Sequence, residues 1–131
     1  MQDEKRILIV DDDHDFVEAV SCFLELNGFK VLRAYDGVTG VKLAKMEHPD
    51  LILMDIMMNE RTEGFFAIHE IRRDPLLKNV PIFVVSSFCT ALPDFEIPKS
   101  GGWLAHDMFF TKPVSTSQLL EKIRERVGVT V

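Results

Sequence analysis

Ile7-Leu8-Ile9-Val10-Asp11-Asp12-Asp13 is the stretch on which the fold of this 131-residue chain turns: four bare apolar residues, then three carboxylates. Two further fragments close in the same manner. Leu51-Ile52-Leu53-Met54 runs into Asp55, and Met108-Phe109-Phe110-Thr111 runs into Lys112-Pro113. Short apolar runs alternating with helical patterns predict a parallel α/β sheet, and such sheets place ligand sites beyond the carboxyl ends of their strands. Asp11, Asp12, Asp55 and Lys112 are therefore expected to converge on one edge of the sheet.

Working outward, the first strand is read at about residues 5–10, apolar throughout as a strand buried on both faces should be. A helix follows at about 14–26, with Phe16, Val17, Val20, Phe23 and Leu24 on one stripe and Asn27-Gly28 as its stop. The second strand runs from Lys30 to Ala34, and Asp36-Gly37 turns into a helix at about 38–46. His48-Pro49-Asp50 separates that helix from the third strand, Leu51 to Met54. A third helix, about 64–73, carries Phe65, Ile68 and Ile71 and ends near Asp74-Pro75. The fourth strand is Pro81 to Val85, leading to Ser86-Ser87. Between Phe88 and His106 the pattern fails, because Pro93, Pro98, Gly101 and Gly102 forbid a long regular helix. A fifth strand at about 107–111 precedes a last helix with Ser115 as N-cap, Gln118 completing a capping box, and Leu119, Leu120, Ile123 and Val127 on its apolar face. The order predicts a doubly wound, five-stranded parallel sheet with an irregular segment before the last strand.

The composition fits one domain spanning residues 1–131. With 47% hydrophobic and 27% charged residues it is globular rather than disordered. No apolar run approaches the roughly 20 residues that span a bilayer, and Met1-Gln2-Asp3-Glu4-Lys5-Arg6 leads into a strand rather than a signal sequence. Cys22 and Cys89 lack metal-ligand spacing and read as reduced thiols of a cytoplasmic protein. A net charge of −6 argues against direct nucleic-acid binding. The clustering of the acids points instead toward a cation.

At about 4 Å and an effective dielectric near 20, each like-charge pair among Asp11, Asp12 and Asp55 would cost roughly 4 kcal/mol. Either a carboxylate takes up a proton or a divalent cation neutralises the cluster. Oxygen ligands without a histidine or thiol set favour Mg²⁺. Lys112 adds a point charge for a phosphoryl oxygen, and Ser86 a hydroxyl donor. An aspartate so placed is a candidate nucleophile toward phosphorus, yielding an aspartyl-phosphate. Taken singly, an Asp at a strand end is a turn former or cap, a Lys before Pro a solvated loop residue, and a Ser after a strand a turn residue. The four strand ends taken together carry the functional reading.

Four pieces of the chain carry a resemblance: Ile7 to Asp13, Pro49 to Met58, Pro81 to Ser87, and Phe109-Phe110-Thr111-Lys112-Pro113. With them the chain resembles, over essentially its whole length, the CheY-like receiver domain of bacterial two-component response regulators. The resemblance implies that Asp55 accepts a phosphoryl group from the phosphohistidine of a sensor histidine kinase or phosphotransfer protein. It implies Mg²⁺ held by Asp12, by Asp55 and by the backbone carbonyl of Met57, with Asp11 acting through water. Ser86 would be the switch hydroxyl, Phe109 the switch aromatic and Lys112 the phosphate-contacting cation. The implied protein is a phosphoacceptor rather than an enzyme, passing its signal to a downstream protein target. The chain ends soon after the last helix, so an output domain is not expected in it.

Two departures stand out. Asn59 replaces the family's proline after the phosphoacceptor, and Glu60-Arg61-Thr62-Glu63-Gly64 is one residue longer than the usual loop. The family's helix between the fourth and fifth strands is replaced by 88–106, which puts the usual output face in question. A phosphorylation-independent interaction module is the alternative reading. A phosphohydrolase of the haloacid dehalogenase type, suggested by Asp11-x-Asp13, would leave Asp55 unexplained. His14 is read as a solvated helix-start residue, Trp103 as packing over the sheet edge, and Met54, Met57 and Met58 as packing residues.

Overall fold

The computed structural model describes residues 5–56, 63–86 and 108–128. Met57, Cys89, Trp103 and the predicted irregular segment 88–106 lie outside the described residues. Five strands are present: β1 (Arg6–Val10), β2 (Lys30–Ala34), β3 (Leu51–Met54), β4 (Ile82–Ser86) and β5 (Met108–Thr111). They alternate with helices α1 (His14–Leu26), α2 (Gly37–Glu47), α3 (Glu63–Arg73) and, after β5, α4 (Thr116–Val127). The strands form one parallel sheet in the order β2-β1-β3-β4-β5, the doubly wound arrangement predicted from the apolar runs.

The bare apolar strands are explained by two covered faces. Leu8, Val10, Ile52, Met54, Ile82 and Val84 pack on one side with Ala44 of α2 and Ala67, Ile68 and Ile71 of α3. Ile7, Ile9, Leu51, Leu53, Phe83 and Val85 pack on the other with Val17, Val20 and Leu24 of α1 and Leu119, Leu120 and Ile123 of α4. Alternation along each strand thus feeds two cores rather than a core and a solvent face.

Local signals set the helix ends. The side chains of Asp13, Asp36 and Ser115 accept the N–H groups of Phe16, Thr39 and Gln118, capping α1, α2 and α4. His48 closes α2 in the left-handed region, at φ 49°, with its N–H on the Ala44 carbonyl. The fourth strand is displaced by one residue from the Pro81–Val85 reading. Pro81 serves β3 only through its carbonyl, which accepts the Ile52 N–H at 2.9 Å, while Ser86 stays in the ladder opposite Thr111.

One close approach fixes where α3 begins. A Cβ on Gly64 would overlap the Ile56 Cα and the Asp55 carbonyl oxygen, so only glycine lets the first turn of α3 lie against the backbone that leaves β3. Among the described residues no helix is long and apolar enough to cross a membrane.

Candidate functional site

Strand register brings the first two carboxylates together. Val10 of β1 is paired with Met54 of β3, so Asp11 and Asp55 are the first residues beyond two neighbouring strands. Both are still tied to the sheet: the Asp11 N–H donates to the Ala34 carbonyl at 3.0 Å, and the Asp55 N–H to the Val10 carbonyl at 2.9 Å. Both are buried, with 1% and 4% of their surface exposed. Asp12 is half-buried beside them. One carboxylate oxygen from each of Asp11, Asp12 and Asp55 falls within 4.8 Å of the others.

Lys112 reaches this cluster from the end of β5, two strands away from β3. Its Nζ donates to Asp11 Oδ2 at 2.8 Å and lies 3.5 Å from Asp55 Oδ2. The other Asp11 oxygen accepts the Asp13 N–H at 2.9 Å, and Asp13 also caps α1. The Lys112–Pro113 peptide is cis.

Charge is unevenly distributed in this small volume. Burial, followed by repulsion from Asp55, pushes the Asp11 carboxyl up to about 7, against the pull of the Lys112 ammonium and the Asp13 N–H. Burial works to lower the Lys112 ammonium, but the hydrogen bond with Asp11 and the charges of Asp11, Asp55 and Asp13 outweigh it, so Lys112 is raised. With all three carboxyls ionised, as above the Asp11 value, three carboxylates against one ammonium leave the cluster, counted by itself, with two excess negative charges. The donors are all hard oxygens, and their spacing and charge fit a divalent cation of the Mg²⁺ type.

The structure thus brings together Asp11, Asp12, Asp55 and Lys112. Ser86 is placed by its backbone, at the end of β4 opposite Thr111. Phe109 is half-buried against the core on the α2–α3 side of the sheet. The Met57 carbonyl lies outside the described residues.

Two contributors do not follow from the apolar pattern alone. Phe16, read as one of a core stripe, also sets its ring 4.4 Å from Lys112 Nζ. The signal for this is its position in the first turn of α1, since helical side chains lean toward the N-terminus and thus toward the site. His14 is exposed, as expected, but its ring stacks on Tyr35 with centroids 4.0 Å apart, joining the start of α1 to the loop after β2.

Known proteins share both sequence and fold with this chain. The response regulator receiver domain family matches residues 7–124. The chain is 34% identical over 119 residues to the DNA-binding dual master transcriptional regulator RpaA of Synechocystis, covering 91% of this chain but 47% of that protein. It is 38% identical over 120 residues to protein PilH of Pseudomonas aeruginosa, covering 90% of this chain and 93% of PilH. In fold it is similar to the receiver domain of the P. aeruginosa sensor histidine kinase PA1611, solved with magnesium in its active-site cleft. The TM-score is 0.80 at 22% identity, over 97% of this chain and 100% of that one. By the family match over most of its length and by its relationship to PilH, the chain belongs to the response regulator receiver domains of two-component signalling.

Proposed function

We propose that Asp55 is the phosphoacceptor of a phosphorylation-driven switch formed by residues 1–131. The observation that carries this reading is the buried Asp55 carboxylate at the end of the central strand, beside two further carboxylates and 3.5 Å from the Lys112 ammonium. An Asp55 oxygen attacks the phosphorus of a phosphohistidine on a sensor histidine kinase or phosphotransfer protein. The P–N bond breaks, the imidazole nitrogen keeps the electron pair and takes a proton, and Asp55 becomes an acyl phosphate. Asp12, Asp55 and the Met57 carbonyl would hold Mg²⁺, with Asp11 acting through water. The ion supplies positive charge against the oxygens of the transferring group.

Lys112 supplies the protein's own positive charge. In the resting arrangement its shorter contact is to Asp11, and addition of phosphoryl oxygens to Asp55 gives the ammonium a stronger partner there. Ser86, at the neighbouring strand end, serves as the switch hydroxyl, and Phe109 as the aromatic that responds to it. The protein acts as a phosphoacceptor rather than a turnover enzyme, in the cytoplasm, and hands its state to a downstream protein target.

Intact-mass measurement with a small acyl phosphate donor and Mg²⁺ tests this assignment. The chain is expected to gain one phosphoryl group, and Asp55→Asn to gain none. An Asp55→Asn variant that is phosphorylated at the original rate would place the acceptor elsewhere.

A further inference from the structure

The Lys112 ammonium meets three different surfaces. Asp11 Oδ2 is 2.8 Å from Nζ, Asp55 Oδ2 is 3.5 Å away, and the Phe16 ring presents its centroid at 4.4 Å. Phe16 lies in the first turn of α1, three residues past the cap residue Asp13, whose carboxylate accepts the Phe16 N–H at 3.2 Å. The ring is half-buried and packs against the core on the α1–α4 side. It is therefore anchored both through its own backbone and through the core, while the cation it faces sits just beyond β5.

We propose that Phe16 is a positioning residue for Lys112. Its ring face holds the ammonium beside Asp55 and lets the N–H groups turn from Asp11 to the oxygens of an incoming phosphoryl group. A cation over an aromatic face is attracted by the ring quadrupole, without a fixed hydrogen-bond direction. A carboxylate or carbonyl in the same place would capture an N–H and compete with the phosphoryl oxygens. An aliphatic side chain would fill the space and give no attraction. The aromatic face satisfies both requirements: it holds the charge in place and leaves its hydrogen bonds to the acidic and phosphoryl oxygens. Attraction of this size on a partly desolvated ammonium corresponds to about three- to tenfold in rate.

This proposal rests on Asp55 as acceptor and Lys112 as its cation, and the test separates the two levels. Initial rates of phosphoryl uptake from a small acyl phosphate with Mg²⁺ are measured on the full chain and on Phe16→Leu, Phe16→Tyr, Lys112→Met and the Phe16→Leu/Lys112→Met double variant. Phe16→Leu is expected to slow uptake about fivefold, Phe16→Tyr to restore it to within about twofold, and Phe16→Leu to add nothing once Lys112 is gone. A Phe16→Leu rate equal to the original overturns the proposal. The same slowing in the Lys112→Met background also overturns it, because the effect would then not act through the lysine. Absence of any uptake by the original chain rejects the acceptor assignment itself, and the proposal with it.

A second readout does not depend on activity or on the leucine variant folding. In the folded chain the ε-methylene protons of Lys112 should resonate upfield of the other lysines by ring current, and keep that shift in Phe16→Tyr. Ordinary lysine positions in the original chain would show that the ring does not face the cation.

Discussion

The two ends of the sheet each hold a long-range ion pair at nearly the same distance, and they obey opposite rules. At the amino ends Arg6 meets Glu47 at 3.1 Å, and at the carboxyl ends Lys112 meets Asp11 at 2.8 Å. The Arg6–Glu47 side chains are 40% and 35% exposed, whereas those of Lys112 and Asp11 are 19% and 2% exposed. Around Arg6 each carboxylate has its own donor: the guanidinium reaches Glu47 and also donates to the Glu47 carbonyl, and the Arg6 backbone N–H donates to Asp50 Oδ2 at 2.8 Å. Around Lys112 one ammonium serves two buried carboxylates, Asp11 and Asp55, with the half-buried Asp12 beside them. Distance alone does not distinguish the pairs; burial and the surrounding charge do. One end joins a strand to a helix and a loop, and the other holds repulsion that a divalent cation can relieve.

Removing the cation from the buried end should give the largest difference in stability. Lys112→Ala leaves two buried carboxylates without their ammonium and should destabilise the metal-free fold by about 3 kcal/mol near pH 8. The loss should shrink toward pH 5, because Asp11 can then take up a proton. The same carboxyl gives the original chain a defined pH slope. Its folded value of about 7 lies above its ordinary 3.8, so between those values the folded state keeps a proton that the unfolded state has released. Metal-free stability therefore falls as pH rises from about 4 to about 7, by up to roughly 1.4 kcal/mol per pH unit from this group. Denaturant unfolding in a chelator at stepped pH checks both effects, and Asp11→Asn should flatten the slope. A Lys112→Ala loss below that of Arg6→Ala at pH 8 would erase the contrast between the two ends.

Next in size is the response to a divalent cation. Mg²⁺ at tenfold its dissociation constant should add about 1.4 kcal/mol, a rise of several degrees in melting temperature. Asp12→Ala should lose most of that rise, while Arg6→Ala should keep it. An equal Mg²⁺ shift in both variants would move the metal away from the carboxyl ends. The smallest effect belongs to the solvated pair: Arg6→Ala should destabilise by less than about 1 kcal/mol, and the loss should weaken in high salt. A loss of several kcal/mol would mean that the amino end is far less solvated than its exposure indicates.

How much of this was legible in the sequence depends on what each pattern encodes. The continuous apolar runs Ile7–Val10 and Leu51–Met54 announced strands covered on both faces, and a parallel sheet then had to carry Asp11 and Asp55 to the same edge. Ser115 was recognisable as a cap because capping is a local contest between one side chain and one amide. Phe16 was half legible: its periodicity gives the face of α1 it occupies, but not that Lys112, arriving from the end of β5, ends above its ring. The preference of Lys112 for Asp11 over Asp55 is likewise a matter of fractions of an ångström between strands, which spacing along the chain cannot express. The end of β4 was missed by one residue because an apolar count stops at Val85, while the ladder continues through Ser86 to meet Thr111.

Gly64 shows where this architecture leaves no slack. In an exposed helix interior, alanine is the better helix former than glycine by about 1 kcal/mol. At position 64 the ordering reverses, because the extra methyl would strike main-chain atoms of Asp55 and Ile56, which have no rotamer to escape into. The start of α3 and the end of the central strand therefore behave as one mechanical part. What forces them apart changes the address of the Asp55 carboxylate, and the tolerance of the site is set as much by a missing carbon as by any charge.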